Sequence, residues 1–357
     1  MKCIKAEEKI TSSTFYDIMV PRILEAINNM KVGEDIVIDL SKTVSVDAMA
    51  VPLLLNTARW IIGQKGINPQ IYIPNLDAKK DLKNYLEKVG FFNTCDFYDY
   101  YGINTERIFA KMNQINFATY IFIDNAKDDS QEERERIEES VLRKLINSNI
   151  NNSYVSFWDY WREFNDSQAG GNVVENVIRA ICANTGIHTK ENAILTLQRN
   201  IALNRVCISV ADCGQGLYDS LKRKKGFQPT TMSFEKFKTL KGEEADLYAI
   251  VEAVAYRFYD EEYGLYHILI KLLEFQTEQE KGHRSDKDKV WKMRIHTNNK
   301  RIIFTGNNCR GLEKASTKQD FVRKLLMLCK SKYVARTTCN YPGVHVEIEI
   351  PYDKEKV

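Results

Sequence analysis

Residues 206–217 read VCISVADCGQGL. The apolar stretch 205–211 reads as a buried strand, and it delivers Asp212 at its end. Gly214 and Gly216 follow, one residue apart. Glycines at this spacing let the backbone turn sharply and approach a ligand closely, while the strand holds the carboxylate rigidly. A carboxylate so placed accepts a hydrogen bond from an exocyclic amine such as that of adenine. An Asx-type turn closing a strand gives the same pattern, so the segment alone leaves both readings open.

The flanking sequence narrows the choice. Upstream, NVVENVIRAICAN (172–184) has helical spacing, with Glu175, Arg179 and, one turn on, Cys182 or Ala183 on one face. An i, i+4 ion pair between Glu175 and Arg179 is the bland reading of that face. Downstream, Tyr263, Gly264 and Leu265 open an apolar helix whose first N–H groups are placed to meet phosphate oxygens. Near the end, NYPGVHVEIEIP (340–351) is a turn leading into an alternating strand.

At 357 residues the chain has room for two domains. Its 44% apolar and 28% charged residues suit a protein folded nearly throughout. The 51 Lys and Arg against 48 Asp and Glu leave a net charge of +3. That gives no ground for a nucleic-acid partner or an acidic membrane surface. The basic run 222–225 reads as a solvated turn. Neither a signal peptide nor an apolar run of roughly 18 residues is present, which predicts a cytoplasmic protein without a membrane partner. The eight cysteines form no C-x-x-C pair and the five histidines are dispersed, so a His and Cys metal site is not expected.

The first segment alternates strands and helices: strand 35–40, helix 48–63 with Asp47 as N-cap, strand 70–73 and helix 77–89. This order predicts an α/β domain over residues 1–105. A linker is expected over 106–130 and a second domain over 131–357. The second domain reads as helix 131–147 capped by Ser130, helix 172–184, strand 205–211, helices 245–258 and 265–275, and strands 290–296, 301–305 and 345–351. That arrangement predicts an α+β sandwich with helices on one face of a mixed sheet.

Taken in order, the four segments around Glu175, Asp212, Gly264 and Gly343 resemble the N-box, G1 box, G2 box and closing strand of the GHKL (gyrase, chaperone, histidine kinase, MutL) superfamily. The resemblance covers roughly residues 131–351 and implies a Bergerat-type α+β sandwich that binds ATP or ADP. Asp212, Gly214 and Gly216 match the G1 box fully, which implies adenine contact through Asp212. Gly264 and Leu265 resemble the end of the G2 box, with Glu262 where an earlier glycine is usual. Gly343 matches the closing strand, with Val344 in place of its usual hydroxyl residue. On the N-box helix the resemblance implies Glu175 as general base, and it puts Arg179 where hydrolysing members carry a magnesium-binding Asn. A guanidinium has donors and no lone pair, so it repels magnesium and attracts phosphate directly. Magnesium-dependent hydrolysis is thereby in doubt; Asn176 or Asn172 serves as the metal ligand only in a different helix register.

The N-terminal segment resembles the STAS fold of anti-sigma-factor antagonists through residues 35–41, 46–50, Leu53–Leu55 and the Gly63, Gly66 turn. Ala48 stands where phosphorylation-switched members carry Ser or Thr. Together the resemblances imply an adenine-nucleotide-binding regulator acting on a protein partner or a second copy of the chain. Two alternatives stay open: an ATPase or anti-sigma-type serine/threonine kinase, and a degenerate scaffold without nucleotide. A sensor kinase is the weakest choice, because His188 lies after the N-box and no dimerisation helix pair carries a phosphoacceptor histidine.

Overall fold

The structure is a computed structural model that describes residues 1–104, 118–123, 127–128, 130–147, 173–188, 193–200, 204–259, 264–281 and 290–351. Asn172, Glu262 and Tyr263 lie outside the described residues. The chain is mixed α/β and divides into two compact units. The first is Met1–Tyr120 with Thr196–Arg199 and Thr338–Tyr341; the second is Ile121–Leu195, Asn200–Thr337 and Pro342–Val357. Among the described residues no helix is long and apolar enough to cross a membrane.

The first unit contains β1 (Lys2–Lys5), β2 (Lys9–Ile10), β3 (Ile36–Asp39), β4 (Ser45–Val46), β5 (Gln70–Tyr72) and β6 (Gly102–Asn104). Its helices are α1 (Val20–Asn28), α2 (Val51–Lys65), α3 (Lys80–Lys88) and α4 (Phe91–Tyr98). Four strands form a parallel sheet in the order β1-β3-β5-β6, while β2 and β4 pair separately. Parallel pairing requires crossovers, and the helical segments between the strands supply them. Asp47 caps as expected, its side chain accepting from the Met49 N–H at 3.0 Å. A 3-10 turn, Ala48–Ala50, precedes α2, and Gly66 at φ 65° closes that helix in the left-handed conformation.

Tyr341 is buried in this first unit. Its ring lies 5.3 Å from those of Phe15 and Trp60, and its hydroxyl donates to the Leu53 carbonyl at 2.9 Å. Tyr341→Phe is expected to cost about 1–2 kcal/mol, because the packing stays while the bond to Leu53 and the contact with Thr57 Oγ1 at 3.4 Å go; urea unfolding measures it.

The remaining strands are β7 (Ala118–Ile123), β8 (Ala193–Asn200), β9 (Arg205–Ala211), β10 (Lys292–Thr305) and β11 (Ala335–Pro351). They belong to the second unit except for residues 118–120, Thr196–Arg199 and Thr338–Tyr341. The helices of the second unit are α5 (Gln131–Asn147), α6 (Val173–His188), α7 (Gly216–Arg223), α8 (Phe234–Thr239), α9 (Gly242–Ala255), α10 (Gly264–Lys281) and α11 (Lys318–Cys329). The five-stranded sheet has the order β10-β11-β9-β8-β7. β9 runs antiparallel to β11, with His345 opposite Ala211 and Pro351 opposite Arg205. Helix α6 packs against α5 and α10, while α9 packs against α7, α11 and β10.

Two expectations need correction. The stretch 106–130, read as a linker, contains β7, an edge strand of the sheet. A further strand, β8, lies between the expected helix 172–184 and the expected strand 205–211. β7 (ATYIFI) and β8 (AILTLQRN) carry short apolar runs, the pattern for which periodicity alone does not separate a buried strand from a helix segment.

Candidate functional site

Strand β9 is buried from Val206 to Ala211, and the antiparallel partner β11 fixes where it ends. The Asp212 N–H donates to the Val344 carbonyl at 3.0 Å, and the Asp212 Oδ1 accepts from the Gly214 N–H at 2.7 Å and the Val344 N–H at 3.3 Å. The carboxylate is therefore clamped between its own turn and the neighbouring strand. Two glycines make the close approach possible. Gly343 has φ 87°, and a Cβ there falls 2.0 Å from the Asp212 carbonyl oxygen. Gly216 has φ 77°, and a Cβ there falls 2.7 Å from Asn298 Nδ2 and 2.9 Å from Thr297 Oγ1. Thr297 Oγ1 also accepts from the Leu217 N–H at 3.0 Å, tying the start of α7 to β10.

A cavity of about 30 Å³ opens at this point, lined by Asn184, Thr185, Val210, Asp212, Gln215, Gly216, Leu217, Ser220, Leu265, Val344 and Val346. A second, of about 20 Å³, shares Asn184, Leu217, Ser220 and Leu265, and adds Leu221, Ala253, Tyr256, Arg257 and Gly264. The structure thus gathers Asp212, Gly216, Gly264 and Leu265 around two adjoining cavities. Gly343 supports Asp212 from behind, and Gly214 bonds its carboxylate. Both cavities are far below the roughly 300–1,000 Å³ of a ligand cleft. Admitting a purine requires the side chains between them, Leu217 and Leu265 above all, to move apart.

Glu175 and Arg179 are not among the residues lining either cavity. The guanidinium meets Glu175 Oε1 through Nε and Nη2 at 2.9 and 2.7 Å, and Glu138 Oε2 through Nη1 at 3.3 Å. The i, i+4 pair is present, with a third member from α5. Asn184 represents α6 in the cavities instead. It lies about 140° around the helix from Arg179 at 100° per residue, so a face centred on Glu175 and Arg179 cannot contain it. Ser220, Tyr256 and Arg257 had no sequence signal either, because α7 and α9 meet there only through the fold.

Two buried carboxylates of α9 hold neighbouring segments, one the loop after α7 and the other β10. Glu252 accepts from the Thr230 and Thr231 N–H groups at 3.0 and 2.7 Å. Asp246 accepts from Asn298 Nδ2, the Asn299 N–H and Asn299 Nδ2, each at 3.1 Å. Burial raises the Asp246 pKa, against the lowering effect of those hydrogen bonds.

A buried polar row on β9, β10 and β11 adds a pH dependence. His345 Nε2 lies 2.8 Å from Ser209 Oγ and 3.4 Å from Glu347 Oε1. Arg294 bridges Glu347 at 3.1 Å and Glu349 at 2.6 Å. Burial, with Arg301 and Arg294 nearby, pulls the His345 pKa down to about 3, and burial also holds His296 well below its ordinary value. Both rings are therefore neutral in the folded state, and the unfolded chain takes up more protons below an ordinary histidine pKa of 6.5. The contribution of His345 is complete above that pH and falls as the pH drops toward 3, by about 1.4 kcal/mol per pH unit, and His296 acts in the same direction. Urea unfolding at pH 7 and pH 5 is expected to show this loss, and His345→Gln to reduce it.

Comparisons of the chain with protein-family models, with curated proteins and with solved structures gave no match.

Proposed function

We propose that the second unit is an adenine-nucleotide-binding module of the GHKL type. It controls a partner protein through nucleotide-dependent conformation, with the first unit as a STAS-like regulatory domain. The observation that carries this reading is the position of Asp212. A strand-end carboxylate is clamped by backbone N–H groups beside a cavity that also receives Gly216, Gly264 and Leu265. The cradle behind it tolerates no side chain at Gly343. Asp212 accepts the adenine amino group, and the start of α10 supplies N–H groups for phosphate.

Arg179, engaged by Glu175 and Glu138, takes no part in holding the nucleotide, and Glu175 is not available as a free base. Binding is accordingly independent of magnesium, and hydrolysis is weak. Affinity for ADP is expected to be equal in magnesium and in EDTA, and to change less than twofold in Arg179→Ala, as calorimetry measures it.

The small cavity volumes favour a second reading, a scaffold that binds no nucleotide. Thermal unfolding separates the two. A ligand at about 100 times its dissociation constant stabilises by roughly 2.7 kcal/mol, so ATP or ADP at millimolar concentration raises the midpoint by several degrees. No shift with ATP, ADP or adenosine supports the scaffold.

A further inference from the structure

A cavity of about 1000 Å³ runs along the free side of β1 in the first unit. β1 is an edge strand of the parallel sheet. The Lys2 N–H donates to the Asp35 carbonyl at 2.7 Å and the Ala6 N–H to the Asp39 carbonyl at 2.9 Å. Even-numbered residues therefore turn their backbone groups toward β3. By the alternation of a parallel ladder, Cys3 and Lys5 turn theirs outward. Arg22 caps one of these outward groups, the Lys5 carbonyl, at 2.5 Å. The Cys3 N–H and carbonyl and the Lys5 N–H are left as the ladder positions that face the cavity.

Such an edge is a template for another strand. No proline or bulge interrupts β1 (Lys-Cys-Ile-Lys); Arg22 covers its Lys5 carbonyl, and its lysines are the charged side chains that guard the rest. Arg22 pairs with Glu7 at 2.7 Å, so among the remaining lining side chains Lys2, Lys5 and Lys42 outnumber Glu8 and Glu25. Ammonium groups beside an open edge repel a basic strand and attract one that carries carboxylates. Of the apolar residues lining the cavity, Val44 is exposed, while Ile4, Ala6 and Ala26 are buried in its wall; Val44 suits one of the alternate side chains of an extended chain.

We propose that the β1 edge binds an acidic, extended segment of a partner protein, which adds to the sheet as a fifth strand. This inference does not depend on nucleotide binding by the second unit.

The test uses the full-length chain and two labelled eight-residue peptides, one alternating Glu with Val and one alternating Lys with Val, followed by fluorescence anisotropy. The Glu peptide is expected to bind saturably and at least tenfold more tightly than the Lys peptide. Cys3→Pro removes an outward N–H without touching the β1–β3 ladder, a place where an edge strand accepts proline, and is expected to weaken binding at least tenfold. A Glu peptide with N-methylated backbone amides is expected to lose binding to the unaltered protein, so the ladder is tested even if Cys3→Pro does not fold. Absence of saturable binding, equal binding of both peptides, or unchanged binding of the N-methylated peptide overturns the proposal. Concentration-dependent dimerisation in sedimentation that Cys3→Pro abolishes also overturns it, and gives the edge to a second copy of the chain.

Discussion

Gly343→Ala is expected to lower the unfolding free energy by about 3 kcal/mol or more, from positive-φ strain of roughly 1–3 kcal/mol and a comparable cost of overpacking. The obstacle is backbone: the added Cβ falls 2.0 Å from the Asp212 carbonyl oxygen and 2.6 Å from its carbon. No rotamer change relieves that clash. β11 has to move away from the end of β9, against the Asp212 N–H to Val344 carbonyl bond of 3.0 Å. Gly226 makes the control. It has φ 76° with nothing within 4 Å of an added Cβ, so Gly226→Ala meets only the conformational strain, about 1 kcal/mol. Urea unfolding of the two variants separates close packing from backbone strain. Equal losses would show that Gly343 is needed for its φ alone.

The second large effect is expected on binding. In Asp212→Asn a side-chain oxygen can still accept from the Gly214 and Val344 N–H groups that Oδ1 now serves at 2.7 and 3.3 Å, so the turn survives. The other carboxylate oxygen becomes an NH₂ donor facing the donor of adenine. Loss of a charge-assisted hydrogen bond, worth about 1.5–3 kcal/mol, together with opposed donors, weakens ADP binding on the order of 100-fold. Stability changes by less than about 1 kcal/mol, whereas Asp212→Ala leaves two N–H groups unserved at about 1–3 kcal/mol each. If Asp212→Asn bound ADP as tightly as the unaltered protein, the carboxylate would not be the adenine acceptor.

These effects rest on features that the sequence shows unevenly. Strand β9 with Asp212 was legible because an apolar run ending in Asp and two spaced glycines is a local signal. Helix 131–147 was legible in the same way, and its cap is present, the Glu133 N–H donating to Ser130 Oγ at 3.3 Å. β1 was not legible: Lys-Cys-Ile-Lys at a sheet edge buries only Ile4 fully, so the alternation is too short to stand out. α11 does carry a local signal, the Thr317 cap with Phe321, Val322, Leu325 and Cys329 at helical spacing. The loop ordered by Glu252 instead depends on contacts made through the fold that no local pattern announces. At the site, spacing paired Glu175 with Arg179 correctly, but it could not show that Glu138 completes the triplet, or that Asn184 on another face of α6 reaches the cavity.

The most direct measurement is photo-cross-linking with an 8-azido-adenine nucleotide, followed by mass spectrometry of the labelled peptides. An adenine bound at Asp212 is expected to label segments 210–220 or 344–346, and excess ADP to suppress that labelling. Labelling that ADP does not suppress, or that falls within residues 1–104, contradicts the assignment of the adenine pocket.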